Sequence, residues 1–291
     1  MKKFCLLLFL TLQVSWTSQL SGAEIMDSSA LADFPNPPAD QTILYGKDKL
    51  QFGELRLPSG QGPHPVVVLI HGGCWLREYD ISHIRKLAAA YAEAGIATWT
   101  IEYRRVGDPG GGWPGTFDDV AAGADFLVTL AKKYNLDLAH SIVAGHSAGG
   151  HLALWLANRP ARWSATYAPR AVLALAPAAD LAFLHQSGVC GEVIDKLMGG
   201  SPTQYPVRYQ QVSGVERLPL SIPQYIVIGK HDENWAPVGH RYVASAQENG
   251  NNPQVDIAEQ SGHFEMIDPD STTWPLVLQA SRSALGLTPA N

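Results

Sequence analysis

The strongest constraint on the fold is an alternation of short apolar runs with helical patterns, which begins at residues 65–70. That first run contains no polar residue, which is typical of a strand buried on both faces of a parallel sheet. Further strands are predicted at residues 96–103, 141–144, 171–176, 224–228 and 255–258, with helices in the intervals between them. Alternation at this density predicts an α/β fold with a mostly parallel, doubly wound sheet.

Two segments of the chain depart from this alternation. Residues 41–45 and 49–57 predict an antiparallel hairpin at the N-terminal end of the sheet. Residues 181–222 carry several Gly, Pro and scattered polar residues, and predict a small insertion over the sheet end with one or two short helices. The insertion is too short and irregular to form a second core, so residues 41–291 are predicted to be a single domain.

The first 23 residues have the pattern of a secretory signal peptide. Two lysines, Lys2 and Lys3, precede an apolar run over residues 4–14, and small residues end the segment at Ala23. An apolar run of this length is much shorter than the ~20 residues that a membrane-spanning helix needs, so we expect no stable membrane insertion. The sequence therefore predicts cleavage near Ala23, a secreted or periplasmic protein, and a flexible arm over residues 24–40.

Charge and cysteine content narrow the possible partners and chemistry. The net charge is −6 over 291 residues, and without a basic stripe the chain is a poor candidate for binding nucleic acid. Beyond the predicted signal peptide, the cysteines are Cys74 and Cys190. Export would permit a disulfide between them, but two separate small apolar residues are equally compatible with the sequence.

A G-x-S-x-G pentapeptide at residues 145–149, with Ser147 at its centre, joins a predicted strand to a predicted helix. In this context the pentapeptide forms a tight turn that holds the serine hydroxyl at the tip of the sheet. The start of the following helix, at Ala148, supplies backbone N–H groups and a partial positive charge. Because the strand and the helix are both present, we interpret Ser147 as a candidate nucleophile.

A second glycine-rich segment, residues 71–75, follows directly after the strand at residues 65–70. Its two glycines allow the backbone to approach a substrate closely and to direct N–H groups toward it. Together with the N–H of Ala148, this loop could bind the oxyanion of a tetrahedral intermediate.

The third candidate element is the pair Asp232 and His263, which follow two later predicted strands. A serine hydroxyl needs a base with a pKa near the working pH, and a histidine base needs a carboxylate to fix its tautomer. The chain order of serine, aspartate and histidine matches that of one hydrolase fold. Glu233 and Asp180 are alternative positions for the acid.

These motifs resemble those of the α/β-hydrolase superfamily, in the esterase and lipase branch near arylformamidases and feruloyl/acetyl-xylan-esterase-like proteins. The resemblance extends over nearly all of the chain beyond residue 23 and is carried by residues 71–75, 102–105, 146–151 and 262–265. It implies Ser147 as nucleophile, His263 as base and Asp232 as acid. It also implies N–H donors at three positions: Gly73, Cys74 and Ala148.

The resemblance implies a serine hydrolase that cleaves carboxylic esters through an acyl-enzyme and needs no cofactor. One departure from the family pattern is Pro237, which lies five residues after Asp232 where the family usually has a proline at four. An arylformamidase-like amide hydrolase is the alternative activity, and a non-catalytic binding protein with this fold is a further one.

Three tryptophans in loops, Trp75, Trp113 and Trp235, predict an aromatic wall for a small-molecule or sugar-ester substrate. The remaining histidines show no spacing with Cys or carboxylates that is typical of metal ligands, so we expect no metal site. His151, in the helix after the pentapeptide, is expected to form a hydrogen bond within that helix.

Overall fold

A computed structural model describes residues 25–163 and 165–287, and its centre is an eight-stranded sheet. The strand order is β1-β2-β4-β3-β5-β6-β7-β8. The strands are β1 (Gln41–Leu44), β2 (Phe52–Arg56), β3 (His64–Ile70), β4 (Ala97–Ile101), β5 (Leu136–His146), β6 (Val172–Leu175), β7 (Gln224–Gly229) and β8 (Gln254–Ala258). Strand β2 is antiparallel to β1 and β4, and all other pairs are parallel. The predicted mostly parallel sheet with an N-terminal antiparallel hairpin is confirmed.

Helices cover both faces of the sheet. They are α1 (Arg85–Glu93), α2 (Gly115–Tyr134), α3 (Ala148–Ala157), α4 (Leu181–Ser187), α5 (Val193–Met198), α6 (Pro206–Val212), α7 (Ala236–Glu248) and α8 (Trp274–Leu285). Side chains of β3 alternate between the faces: Val66 and Val68 pack with α2 and α3, whereas Val67 and Leu69 pack with α1 and α8. Burial on both faces explains why residues 65–70 of this strand include no polar residue.

The insertion over residues 181–222 contains three short helices, α4 to α6, where one or two were predicted. Among the contacts that attach it to the rest of the molecule, two involve residues singled out in the sequence. A disulfide joins Cys190 in the insertion to Cys74 in the glycine-rich loop, with the two Cα atoms 6.0 Å apart. The Nε2 of His151 donates to the carbonyl of Val212 at 2.8 Å. The structure thus selects the disulfide over two separate cysteines, and it corrects the expectation that His151 bonds within its own helix.

The N-terminal segment that the structure describes, residues 25–40, lies against the domain. Its 3₁₀ helix at Ser28–Asp33 is capped by Asp27, whose carboxylate accepts from the Ser29 backbone N–H at 2.7 Å. Arg56 donates to the carbonyl of Pro37 at 2.6 Å. Residues 25–40 thus contact the domain at several points, and the flexibility of this segment stays a prediction.

The predicted signal peptide, with its cleavage near Ala23, lies outside the described residues. Within residues 25–163 and 165–287, none of the helices has both the length and the apolar content that crossing a membrane requires. The expectation of no stable membrane insertion concerns the apolar run at residues 4–14, which is outside the described residues, so it stays a prediction.

Candidate active site

Ser147 lies at the sharp turn between β5 and α3, at the carboxyl end of the sheet. Its φ is 56°, in a region that non-glycine residues rarely adopt. The glycines on either side permit this turn, because a Cβ at Gly149 would overlap the carbonyl of Ile70 and one at Gly145 would overlap that of Gly149. Strain of this kind is found at functional sites, where the surrounding structure holds it in place.

Neighbouring backbone groups fix the position of Ser147. Its N–H donates to the carbonyl of Leu175 at 2.9 Å, and its carbonyl accepts from the N–H of Ala178 at 3.1 Å. The side chain is almost completely buried, with 3% of the residue exposed. Helix α3 begins at Ala148, and the N–H groups of a first helical turn have no partner within their own helix. The Ala148 N–H is the first of these groups, and its role as an oxyanion donor stays a prediction.

The glycine-rich loop after β3 is held rigidly by His71. Its Nδ1 lies 2.9 Å from the carbonyl of Gly72 and its Nε2 lies 3.0 Å from Glu102. Both ring nitrogens thus lie within hydrogen-bond distance of an acceptor, and these two contacts hold the ring in place. The Gly72 carbonyl and the Gly73 N–H belong to one planar peptide and point in opposite directions. Fixing the carbonyl therefore also fixes the direction of the Gly73 N–H.

Gly73 and Cys74 line the same cavity as Ser147. Cys74 and Trp75 have φ values of 48° and 55°, so this loop, like the serine turn, has an unusual backbone. The disulfide to Cys190 adds a covalent link beside the cavity. The structure therefore brings the predicted oxyanion loop to the predicted nucleophile.

His263 and Asp232 lie beside each other at the ends of β8 and β7. The Nδ1 of His263 lies 2.7 Å from Oδ2 of Asp232, and Oδ1 of Asp232 accepts from the N–H of Trp235 at 3.1 Å. The alternatives for the acid lie elsewhere, because Glu233 is exposed and Asp180 pairs with Arg241 at 3.1 Å. The geometry therefore favours Asp232 over both. His263 lines the cavity together with Ser147.

Aromatic rings surround the imidazole of His263. Trp235 stacks on it with ring centroids 5.0 Å apart, and Phe264 meets it edge-on at 4.9 Å. The ring of His146 lies 4.6 Å away, and its Nε2 donates to the His263 carbonyl at 2.8 Å. These contacts restrict rotation of the imidazole and exclude water from most of its surface.

Two neighbouring histidines are held in the neutral form. Since the Nε2 of His146 donates, its Nδ1 accepts, and the Nε2 of His83 donates to it at 3.0 Å. Burial, reinforced by the nearby His71 and His263, lowers the pKa of His83 to about 3. Burial likewise lowers the pKa of His146 well below its ordinary value. The third histidine of this group, His263, is paired instead with the carboxylate of Asp232.

The cavity at Ser147 has a volume of about 180 Å³. Of the three tryptophans predicted to form an aromatic wall, Trp235 lines it. Trp75 is fully buried against His151, and Trp113 packs on Trp163, so both belong to the hydrophobic core. The expectation that Trp75 contacts substrate is corrected, because its ring points into the domain.

Sequence reasoning missed several residues at this cavity. Tyr79, His83 and Phe264 contribute to its wall, as do Ser28 and Leu31 from the N-terminal segment. None of them has a spacing or motif that marks it. Phe264 could have been found, because it directly follows the predicted base. Within the part of the chain that the structure describes, no three His, Cys, Asp or Glu side chains are grouped as a metal ion would require.

The amino-acid sequence is similar to a known protein family and to two plant proteins. Residues 54–238, more than half of the chain, match the model of the BD-FAE family. A probable isoprenylcysteine alpha-carbonyl methylesterase of Arabidopsis thaliana is 30% identical over 121 residues, which cover 41% of this chain and 25% of the plant protein. A similar methylesterase of Oryza sativa is 27% identical over 159 residues, or 52% and 38% of the two chains. The matched part thus spans well under half of either relative.

Solved structures show the same fold over a larger part of the chain. Esterase B from Lactobacillus rhamnosis has a TM-score of 0.74 at 22% identity, covering 89% of this chain and 90% of the other. A thermophilic esterase from Thermogutta terrifontis, solved with propionate bound, has a TM-score of 0.71 at 18% identity and covers 89% and 99%. The chain therefore has the α/β-hydrolase fold and belongs to the BD-FAE family.

Proposed function

We propose that this protein is a serine hydrolase that cleaves carboxylic esters through an acyl-enzyme intermediate. The observation that carries the proposal is the Ser147 turn, which shares one cavity with Gly73, Cys74 and a His263 that is paired with Asp232. Nucleophile, base and oxyanion donors around a common space are the parts that acyl transfer requires.

In the first half of the reaction, His263 takes the proton of the Ser147 hydroxyl while Oγ attacks the ester carbonyl. The carbonyl oxygen becomes an oxyanion, which the N–H groups of Gly73, Cys74 and Ala148 stabilise. His263 then gives its proton to the alcohol oxygen as the carbon–oxygen bond breaks. The alcohol departs and the acyl group remains on Ser147.

In the second half, a water molecule gives a proton to His263 and attacks the acyl carbonyl. The oxyanion forms again at the same donors, and the bond to Ser147 Oγ breaks as His263 returns the proton. The free acid is the product. Asp232 holds the His263 ring in the tautomer that accepts at Nε2, and it stabilises the positive charge that arises in both halves.

Ester hydrolysis is favoured over formamide hydrolysis by the relatives, because the curated proteins and the solved structures with this fold are named as esterases. The tryptophan against His263 is compatible with either substrate. Among esters, the molecules bound to solved structures of the fold include propionate and butyrate, which supports substrates with short acyl groups.

The decisive experiment compares wild type with Ser147→Ala on p-nitrophenyl acetate, with an N-formyl anilide assayed beside it. We expect wild type to hydrolyse the ester faster than the anilide, and kcat for the ester to fall by at least about 10³-fold in the variant. Ser82→Ala, in the turn before α1, is the matched control and should retain activity. Equal rates for Ser147→Ala and wild type would contradict the mechanism.

A further inference from the structure

The N-terminal segment at residues 25–34, here named the arm, forms part of the cavity that holds Ser147. Leu31 and Ser28 line this cavity together with Ser147 and His263. The arm is nearly 120 residues from Ser147 in sequence and lies outside the part of the chain that matches the family model. The arm therefore adds residues to a cavity whose candidate nucleophile lies in the matched part.

A buried carboxylate connects the arm to the loop of the catalytic histidine. Oε1 of Glu265 accepts from the N–H of Met26 at 2.6 Å, while Oε2 accepts from the N–H of Gly262 at 2.9 Å. Glu265 is 7% exposed, and hydrogen bonds to a buried carboxylate are among the stronger ones. The side chain of Ile25 packs so closely on Gly262 that a Cβ there would overlap it.

Further contacts hold the other end of the arm. Leu31 and Phe34 pack against the hydrophobic cluster between the sheet and α1 and α8. The ammonium group of Lys86 lies 4.7 Å from the centre of the Phe34 ring. The arm is thus attached at both ends, with Leu31 between the attachments, which is the arrangement of a fixed wall.

The volume and the apolar lining of the cavity limit the size and polarity of the group that can bind in it. Its volume of about 180 Å³ is below the ~300–1,000 Å³ of pockets for drug-sized ligands. Besides Leu31, its apolar lining comes from Tyr79, Trp235 and Phe264. In the proposed reaction the acyl group stays bound to Ser147 Oγ after the alcohol has left. Because the cavity adjoins Ser147 and is small and apolar, it suits a short acyl group.

We propose that the arm is a wall of the acyl pocket and that Leu31 restricts the enzyme to short-chain acyl groups, from acetyl to butyryl. This inference rests on the ester hydrolysis proposed above and assigns the substrate class of the same site. A longer acyl chain would have to displace Leu31, which the contacts of Glu265 and Phe34 hold in place.

The test measures kcat/KM for p-nitrophenyl acetate, butyrate, hexanoate and octanoate with wild type, Leu31→Ala and Leu31→Trp. Wild type should prefer acetate or butyrate. Leu31→Ala should raise the ratio of octanoate to acetate by about tenfold, since room for a methylene or two changes discrimination by that amount. Leu31→Trp should lower butyrate hydrolysis relative to acetate. Each ratio is internal to one protein preparation, so a partial loss of folded protein does not affect it.

Leu44→Ala, at an exposed position of β1, is the matched control and should leave every ratio unchanged. The inference is overturned if wild type prefers octanoate, or if Leu31→Ala and Leu31→Trp have the same chain-length profile as wild type. These outcomes leave the proposed function intact as long as Ser147→Ala removes the activity. Loss of the proposed function is recognised separately, by equal rates for Ser147→Ala and wild type.

Discussion

Two buried clusters of titratable residues lie near Ser147, and they differ in composition. On the side of the oxyanion loop, His71 contacts Glu102, which also forms an ion pair with Arg105 at 3.2 Å; we name these three residues the carboxylate cluster. On the other side, His83 and His146 form a chain of hydrogen bonds that ends at the backbone of His263; we name these three the histidine cluster.

The two clusters differ in what their side chains do: the carboxylate cluster holds loops in place, whereas the histidine cluster surrounds the candidate base. In the carboxylate cluster, Glu102 also accepts from the backbone N–H groups of Ile81 and Tyr103, both at 2.9 Å, so its charge is used to fix loops. In the histidine cluster the pKa of His83 and that of His146 are lowered by burial. The third member of the cluster, His263, is paired with the carboxylate of Asp232, and the proposed mechanism assigns the transferred proton to it.

The largest effect is expected from Asp232→Asn, which would make the surroundings of His263 resemble those of the two neutral histidines. An asparagine amide can hold the wrong tautomer, and it cannot balance the charge on the ring. We expect kcat for p-nitrophenyl acetate to fall by about 10⁴-fold with a small change in melting temperature. Glu233→Gln, at the exposed neighbouring position, should remain within about threefold of wild type. Similar losses in both variants would contradict the assignment of Asp232.

A smaller effect, mainly on stability, is expected from Glu102→Gln in the carboxylate cluster. The change removes the buried carboxylate that pairs with Arg105 and contacts His71, and loss of one partner of a buried ion pair typically costs about 3 kcal/mol of unfolding free energy. Urea unfolding at neutral pH measures it. Glu78→Gln removes the partner of Arg77 at a pair where both side chains are more than half exposed, and it should cost under about 1 kcal/mol. Equal costs would show that Glu102 does not stabilise the fold as the geometry indicates.

The smallest effect is expected from His83→Gln, and it should appear in the pH dependence of stability. The folded pKa of His83 is about 3 and the unfolded value is 6.5, so between these values the unfolded chain binds more protons. The contribution of neutral His83 to the free energy of unfolding is therefore fully present above pH 6.5, and it is lost as the pH falls toward 3. Glutamine can still donate to His146, but it does not titrate.

Unfolding free energies of wild type and His83→Gln, measured at several pH values from 7 to 4, test this expectation. Below pH 6.5 the unfolding free energy of the variant should change less steeply with pH than that of wild type. The difference in slope corresponds to at most one proton, or about 1.4 kcal/mol per pH unit. The charged and titratable groups near His83 are His71, Asp80, His146 and His263, and all remain in the variant. His231→Gln, at an exposed position, should keep the wild-type slope. An unchanged slope for His83→Gln would contradict the neutral state of His83.

Much of the site could be predicted because it is encoded in short segments. The turn at Ser147 requires small residues two positions before and after it, and such a pattern is visible without knowledge of the fold. The loop at Gly73 directly follows the most apolar strand, so its place at the sheet edge follows from the parallel arrangement. The sequence predicts that Trp75, in the same loop, contacts substrate, but Trp75 is buried, because the loop turns at Cys74 with a positive φ that sequence does not reveal.

The sequence by itself determined the α/β fold, the turn that presents Ser147 and the chain order of the three candidate catalytic residues, since each depends on neighbouring residues or on periodicity. Only the tertiary structure decided that Asp232 rather than Glu233 faces His263, because burial exists only once β7 and β8 are packed. It also decided the Cys74–Cys190 disulfide and the position of the arm. The disulfide and the contacts of the arm join segments more than 100 residues apart, so they depend on the three-dimensional path of the chain rather than on any local pattern.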